Sequence, residues 1–256
     1  LAVGFQHTRN RKKYLLRLYL ANVGMVFFNQ IMCMLQRKLD YVAYQPKNHN
    51  IFTTLFCAGV LICIWENRKE KKKFFTYIGI YIFWQAMVMG LAILAEAFDY
   101  VWRGNALLQT VLRTNYIFPL LGGIWDAEGG VFFIVLGVWL YCAVENKWKL
   151  ALRYILFCGA YMFMCQGDIL YRIMSRFSFW GYHKLADVIY FGSSFVGIPL
   201  GTSDLSLLTE FYQWMMIGAL PIMLSCNGKR GKSLKWLFYA AYPLQFLVLY
   251  GISYYK

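Results

Sequence analysis

Apolar residues in this chain fall in long unbroken runs, separated by short clusters of cations. The runs of best length are 14–35, 74–95, 205–225 and 234–254, each near the roughly 20 residues that cross a bilayer as a helix. Shorter runs at 51–65, 129–144 and 150–165 cross by extending into their flanks or where the membrane thins. Two stretches are interrupted: 106–122 by Gln109, Arg113 and Asn115, and 188–200 by glycines and Pro199. Continuous runs, rather than alternating ones, exclude a transmembrane barrel. The pattern predicts an all-α fold, a polytopic transmembrane helical bundle forming one domain over 1–256.

The charges orient that bundle. The stretches 9–17, 66–73, 145–153 and 226–235 hold 17 of the 26 cations and 3 of the 12 acids, which assigns them to the cytoplasmic face by the positive-inside rule. This partition requires seven crossings, with re-entrant or surface-lying helices at 106–122 and 188–200. The mildly basic loop 36–50 falls on the outer side and fits the rule poorly. The chain opens at Leu1, and "LAVGF" reads as the tail of an earlier apolar helix, so a first helix is expected upstream.

Composition agrees with the pattern. Hydrophobic residues make up 60% of the chain and charged residues only 15%, whereas a soluble domain is about half apolar and a quarter charged. The net charge of +14 belongs to the cytoplasmic face, where anionic lipid headgroups account for it without nucleic acid. Six of the seven cysteines lie inside apolar runs and none forms a C-x-x-C pair. Neither a disulfide framework nor a metal site is expected.

Four stretches carry candidate chemistry. "GFQHTRNRKKYLLRL" sets His7, Arg9, Arg11, Lys12, Lys13 and Arg17 ahead of an apolar run. Lys13 and Arg17, four apart, share a helix face. Arg17 is one turn inside the apolar segment, where its long side chain either snorkels to the headgroups or joins a phosphate clamp. "SCNGKRGKSLK" combines a tight turn at Asn227-Gly228 with Lys229, Arg230, Lys232 and Lys235, a second place for a phosphate or an ordinary basic loop. "FYAAYPLQF" kinks a span at Pro243 beside Tyr239, Tyr242 and Gln245, polar groups that either line a path or join helices. "WDAEGG" pairs Asp126 with Glu128 at the start of a span, as a general base on the acceptor side or as a solvated loop. No Walker, G-x-S-x-G or H-E-x-x-H sequence is present.

The first of these stretches resembles the G-F-x-H-T-R-x-R-x-x-Y-x-x-R-L element of the TraX family, and "NIFTTLFCAGVLI" resembles the start of that family's next helix. "ALPIMLSCNGKRG" followed by "KWLFYAAYPLQFLVLY" is similar to its L-P-x-x-L-x-N-G-x-x-G and K-x-x-F-Y-x-x-Y-P-x-H pair. These elements bracket residues 4 to 250, and the middle, 75 to 200, matches only loosely. TraX proteins are bacterial inner-membrane proteins linked to N-terminal acetylation of conjugative pilin, distantly similar to membrane O-acetyltransferases of surface sugars. The resemblance implies a multi-pass acyltransferase. It would move an acetyl group from cytoplasmic acetyl-CoA, or another acyl-CoA, to a pilin N-terminus or a cell-envelope glycan. It makes His7 a candidate catalytic residue, beside Asp126 and Glu128 read from their own position, and turns Arg9, Arg17 and Asn227 toward the CoA phosphates, with Lys13, Lys229 and Arg230 of the same basic stretches beside them. Tyr239, Tyr242 and Gln245 would line the acceptor path, with no metal.

Two departures stand out. The family's Asp-His pair belongs to a helix that would precede Leu1. The family's late histidine is Gln245 here, which carries no titratable proton. The rival reading is a non-catalytic membrane assembly factor or chaperone for an exported protein or pilus.

Overall fold

The computed structural model describes residues 2–39, 50–101, 118–124, 127–165, 176, 182, 184–185, 188–189, 212–225 and 235–254. Among these the chain is all-helical, without strands. In chain order the helices are α1 (Ala2–Gln6), α2 (Arg11–Leu39), α3 (Ile51–Glu66), α4 (Lys71–Val101), α5 (Gly130–Tyr141), α6 (Lys147–Cys165), α7 (Leu220–Ser225) and α8 (Lys235–Tyr254). Short 3-10 segments occupy Asn67–Lys69 and Tyr212–Ala219.

Among the described residues, three helical stretches, Arg11–Leu35, Ile51–Lys69 and Lys71–Ala95, are long and apolar enough to cross a membrane, and Gly130–Tyr141, Met215–Ser225 and Leu237–Ile252 are shorter apolar ones. Their outward faces carry Leu16, Leu20, Phe27, Ile80, Phe83 and Leu249, all more than half exposed, as a surface meant for lipid rather than water would. The run expected at 205–225 differs. Its described part is a 3-10 segment up to Ala219, and only then α7. Pro221 has no N–H, its ring collides with the carbonyl four residues earlier, and the residue before it disfavours α geometry. A continuous α-helix through this point is therefore costly.

The chain divides into two compact units, one formed by 7–128 and 231–256, the other by 2–6 and 129–230. In the first unit α2 begins under an Asn10 cap, whose Oδ1 accepts the Lys13 N–H at 3.0 Å. Leu18, Met25 and Phe52 form its core, with Tyr14, Phe28, Tyr239, Tyr242 and Phe246 packed around them. α3 runs antiparallel to α2: Asn50, just ahead of α3, bonds Asn22, while Glu66 at its end pairs with Arg11 at 2.9 Å. α8 runs parallel to α2. Its Tyr239 lies near Arg17, its Phe246 packs on Phe28, and its Tyr250 packs on Met32 further along. The start of α2, the end of α3, the start of α4 and the start of α8 thus lie at one end, which is rich in Lys and Arg.

Among the described residues the second unit is built on a helical hairpin of α5 and α6. Asn146 caps α6 by accepting the Lys149 N–H at 3.1 Å. Leu136, Tyr154, Phe157 and Cys158 make its core, with Phe132 stacked on Phe157 at 4.6 Å between centroids. α1 packs on α5 through buried Phe5, edge-on to Tyr141. Tyr154 donates to the Met216 carbonyl at 2.7 Å, which fastens the 3-10 segment to α6.

Candidate functional site

The first unit holds an irregular segment between its helices, described over 118–124 and 127–128. Phe118 to Leu120 form one helical turn, and Gly122 follows at φ +65°. Four successive carbonyls face side-chain donors from two helices. The Asn22 amide donates to Pro119 O at 2.5 Å and the Tyr19 hydroxyl to Leu120 O at 2.8 Å. The Trp84 indole donates to Leu121 O at 2.9 Å and the Gln85 amide to Gly122 O at 3.1 Å. Gln85 Oε1 also accepts the Ile124 N–H at 3.0 Å. An irregular backbone among apolar helices persists only when its polar groups are satisfied by protein, and these side chains do that. Asn22 is fully buried and Gln85 is 4% exposed.

The segment ends at Glu128, placed by the first turn of α3. Thr54 donates its hydroxyl to the Glu128 carbonyl at 2.8 Å. The Tyr242 hydroxyl accepts the Ile51 N–H at 3.3 Å and donates to the Glu128 carboxylate. An N–H at the positive end of α3 thereby polarises the phenol toward the carboxylate. Beside this chain, Asn22 Oδ1 accepts both Asn50 Nδ2 and Thr53 Oγ1 at 2.7 Å. The Asn50 Oδ1 is buried and accepts no hydrogen bond among the described residues. Glu128 lies in the connection ahead of α5, outside the apolar helices. Burial pushes its carboxyl above the ordinary carboxylate range, and the Tyr242 hydrogen bond opposes that shift.

The expected site residues divide into groups. Tyr242 and Glu128 meet directly. Tyr239 stands one turn before Tyr242, and both pack on Phe52, at 5.8 and 5.5 Å between centroids. Arg17 is exposed on α2, just ahead of Leu18, in whose cluster Tyr239 packs. Gln245 is exposed, away from the face that carries Tyr239 and Tyr242. Arg9 and Lys13 are exposed at the basic end. His7 is exposed on the turn before α2, at the end where α3 finishes. Glu128 packs against α3's first turn, so Thr54 and Glu66 bracket about 18 Å of axis between the two, at roughly 1.5 Å per residue. The structure therefore does not bring His7 to Glu128. Asp126, Asn227, Lys229 and Arg230 lie outside the described residues.

The sequence reading passed over Tyr19, Asn22, Asn50, Thr53, Thr54, Trp84 and Gln85. The available signal was the lone amide: Asn22 and Gln85 sit inside runs where an unpaired polar group is costly and demands a partner. No family model, curated protein or solved structure matches the chain.

Proposed function

We propose that this chain is a multi-pass bacterial inner-membrane acyltransferase with seven crossings. It takes the acyl group of a cytoplasmic acyl-CoA, acetyl-CoA as the TraX resemblance implies, and passes it to an amine or hydroxyl. The observation that carries the reading is the line from Arg17 through Tyr239 and Tyr242 to Glu128. It sets a cation near the basic end and a half-buried carboxylate along one helix face. In this reading Glu128 takes the proton of the acceptor as its nitrogen or oxygen attacks the thioester carbonyl. The C–S bond then breaks and CoA leaves as the thiolate. A base with raised proton affinity suits that transfer. The cations Arg9, Lys13 and Arg17 hold the donor's phosphates.

The test is transfer from labelled acetyl-CoA to cell-envelope fractions, using the full chain reconstituted in vesicles. Glu128→Gln should lower the rate by about 10²-fold or more, the usual weight of general-base catalysis, with insertion unchanged. No transfer by the wild-type protein, properly inserted, would leave the non-catalytic assembly factor as the better reading. In that case the polar side chains serve only to hold 118–124 in place.

A further inference from the structure

A groove of about 790 Å³ opens on the first unit, bounded by α2, α3, α4 and residues 120–122. Leu15, Phe56, Val60, Ile64 and Ile80 are among its walls. Its polar groups are turned away from an occupant. The Tyr19 and Trp84 donors are held by the carbonyls of Leu120 and Leu121, and the Asn67 amide by Cys63 O at 2.8 Å. The Tyr81 hydroxyl is buried away from the groove surface, without a hydrogen-bond partner among the described residues. The interior therefore suits an apolar chain and offers little to a polar ligand.

Length and charge identify the chain. From Asn67 at the mouth to Phe56 at the floor, α3 advances about 16 Å, at roughly 1.5 Å per residue. That is close to half of a ~30 Å hydrocarbon core, the depth of one leaflet. The mouth coincides with the basic end. Arg11, Lys12, Lys13, Arg68, Lys69, Lys71, Lys72 and Lys73 lie on the helix starts and the turn at that end, and the carboxylates beside them among the described residues are Glu66 and Glu70. Both carboxylates are already paired, with Arg11 and Lys73.

We propose that the groove is a binding site for one anionic phospholipid of the leaflet at the basic end. One acyl chain lies in the groove down to residues 120–122, and the phosphate headgroup sits among the cations of 68–73. The proposal rests on the membrane placement given above but not on acyl transfer.

The experiment measures lipid retained by the full chain in mild detergent, by native mass spectrometry, after exposure to phosphatidylglycerol or phosphatidylcholine of identical chains. The wild-type protein should retain phosphatidylglycerol preferentially. The Lys69→Ala, Lys72→Ala double variant should lose roughly tenfold of that preference. Val60→Trp should cut retention of both lipids by blocking the groove. Ile80→Trp, on an exposed wall and tolerant of a larger side chain, does the same if Val60→Trp does not fold. Equal retention of the two lipids by the wild-type protein would overturn the proposal. So would groove-filling variants that bind as the wild type does. Glu128→Gln should leave retention unchanged, so loss of transfer and loss of lipid binding are separable results.

Discussion

Glu128 and Tyr242 form the contact with the most chemical consequence. Burial raises the proton affinity of Glu128 above its ordinary value of 4.5, so the native state binds more protons than the unfolded chain just above that value. The stability it contributes is full at lower pH and is lost as pH rises through the raised value. Thermal unfolding of the wild type and Glu128→Gln, compared from about pH 4 to about pH 8, should show the wild type losing ground as pH increases. A constant gap would mean that the carboxyl titrates as it does in water. Tyr242→Phe removes the bond that favours the carboxylate, so the alkaline-going limb of any transfer activity should move to higher pH. Arg17 is the corresponding residue for the donor. Charge-assisted bonds to phosphate contribute about 1.5–3 kcal/mol each, so Arg17→Ala should weaken acyl-CoA binding by roughly ten- to a hundredfold. Arg17→Lys should restore part, keeping the charge without the fork. Lys12→Ala, about 100° round the helix from Lys13, controls for surface charge. Equal losses from Arg17→Ala and Lys12→Ala would reduce the opening stretch to an anchor.

Helix positions were legible and the segment between them was not. α2, α3, α4 and α8 begin and end close to the apolar runs because a continuous run with cationic flanks has one economical conformation in lipid. The turn chemistry at Gly122 and the side chains that hold 118–124 left no local pattern. Asn22 and Pro119 are 97 positions apart in sequence, and Gln85 and Gly122 are 37 apart. Such pairs exist only after the helices have assembled. If these bonds fix the segment, Gln85→Leu should be costly, since it leaves the Ile124 N–H unpaired and the Gly122 carbonyl with only the weak Cys57 thiol donor at 3.4 Å. An orphaned group costs about 1–3 kcal/mol. Gly122→Ala should also destabilise the protein, because φ is +65° and a Cβ would lie 2.8 Å from Phe56 Cε1. A drop in the detergent-solubilised unfolding midpoint of both variants is the expected result. Unchanged midpoints would show that the segment is held by other contacts.

The arrangement of the first unit bears on how the chain is threaded. The positive-inside argument grouped 9–17, 66–73 and 226–235 by charge alone, without knowledge of which helices are neighbours. Packing supplies an independent constraint. The Arg11–Glu66 pair brings the start of α2 to the end of α3, and α4 begins after the short turn Asn67–Lys69. The order of contacts from Tyr239 to Tyr250 along α2 makes α8 parallel to it, so Lys235 enters from the same end. A bilayer cannot place helix ends that share one end of a compact unit on opposite surfaces. Single cysteines at Asn10, Lys72 and Ser233, in a background with the native cysteines replaced, should therefore react with a membrane-impermeant maleimide from the same side. Asn10 and Lys72 report on helix starts that the ion pair and turn hold together. Ser233, just ahead of α8, reports on the basic stretch that lies outside the described residues. Agreement of Asn10 with Lys72 but not Ser233 would break the parallel packing of α8 on α2. Disagreement between Asn10 and Lys72 would break the antiparallel pairing of α2 with α3, and the seven-crossing reading with it.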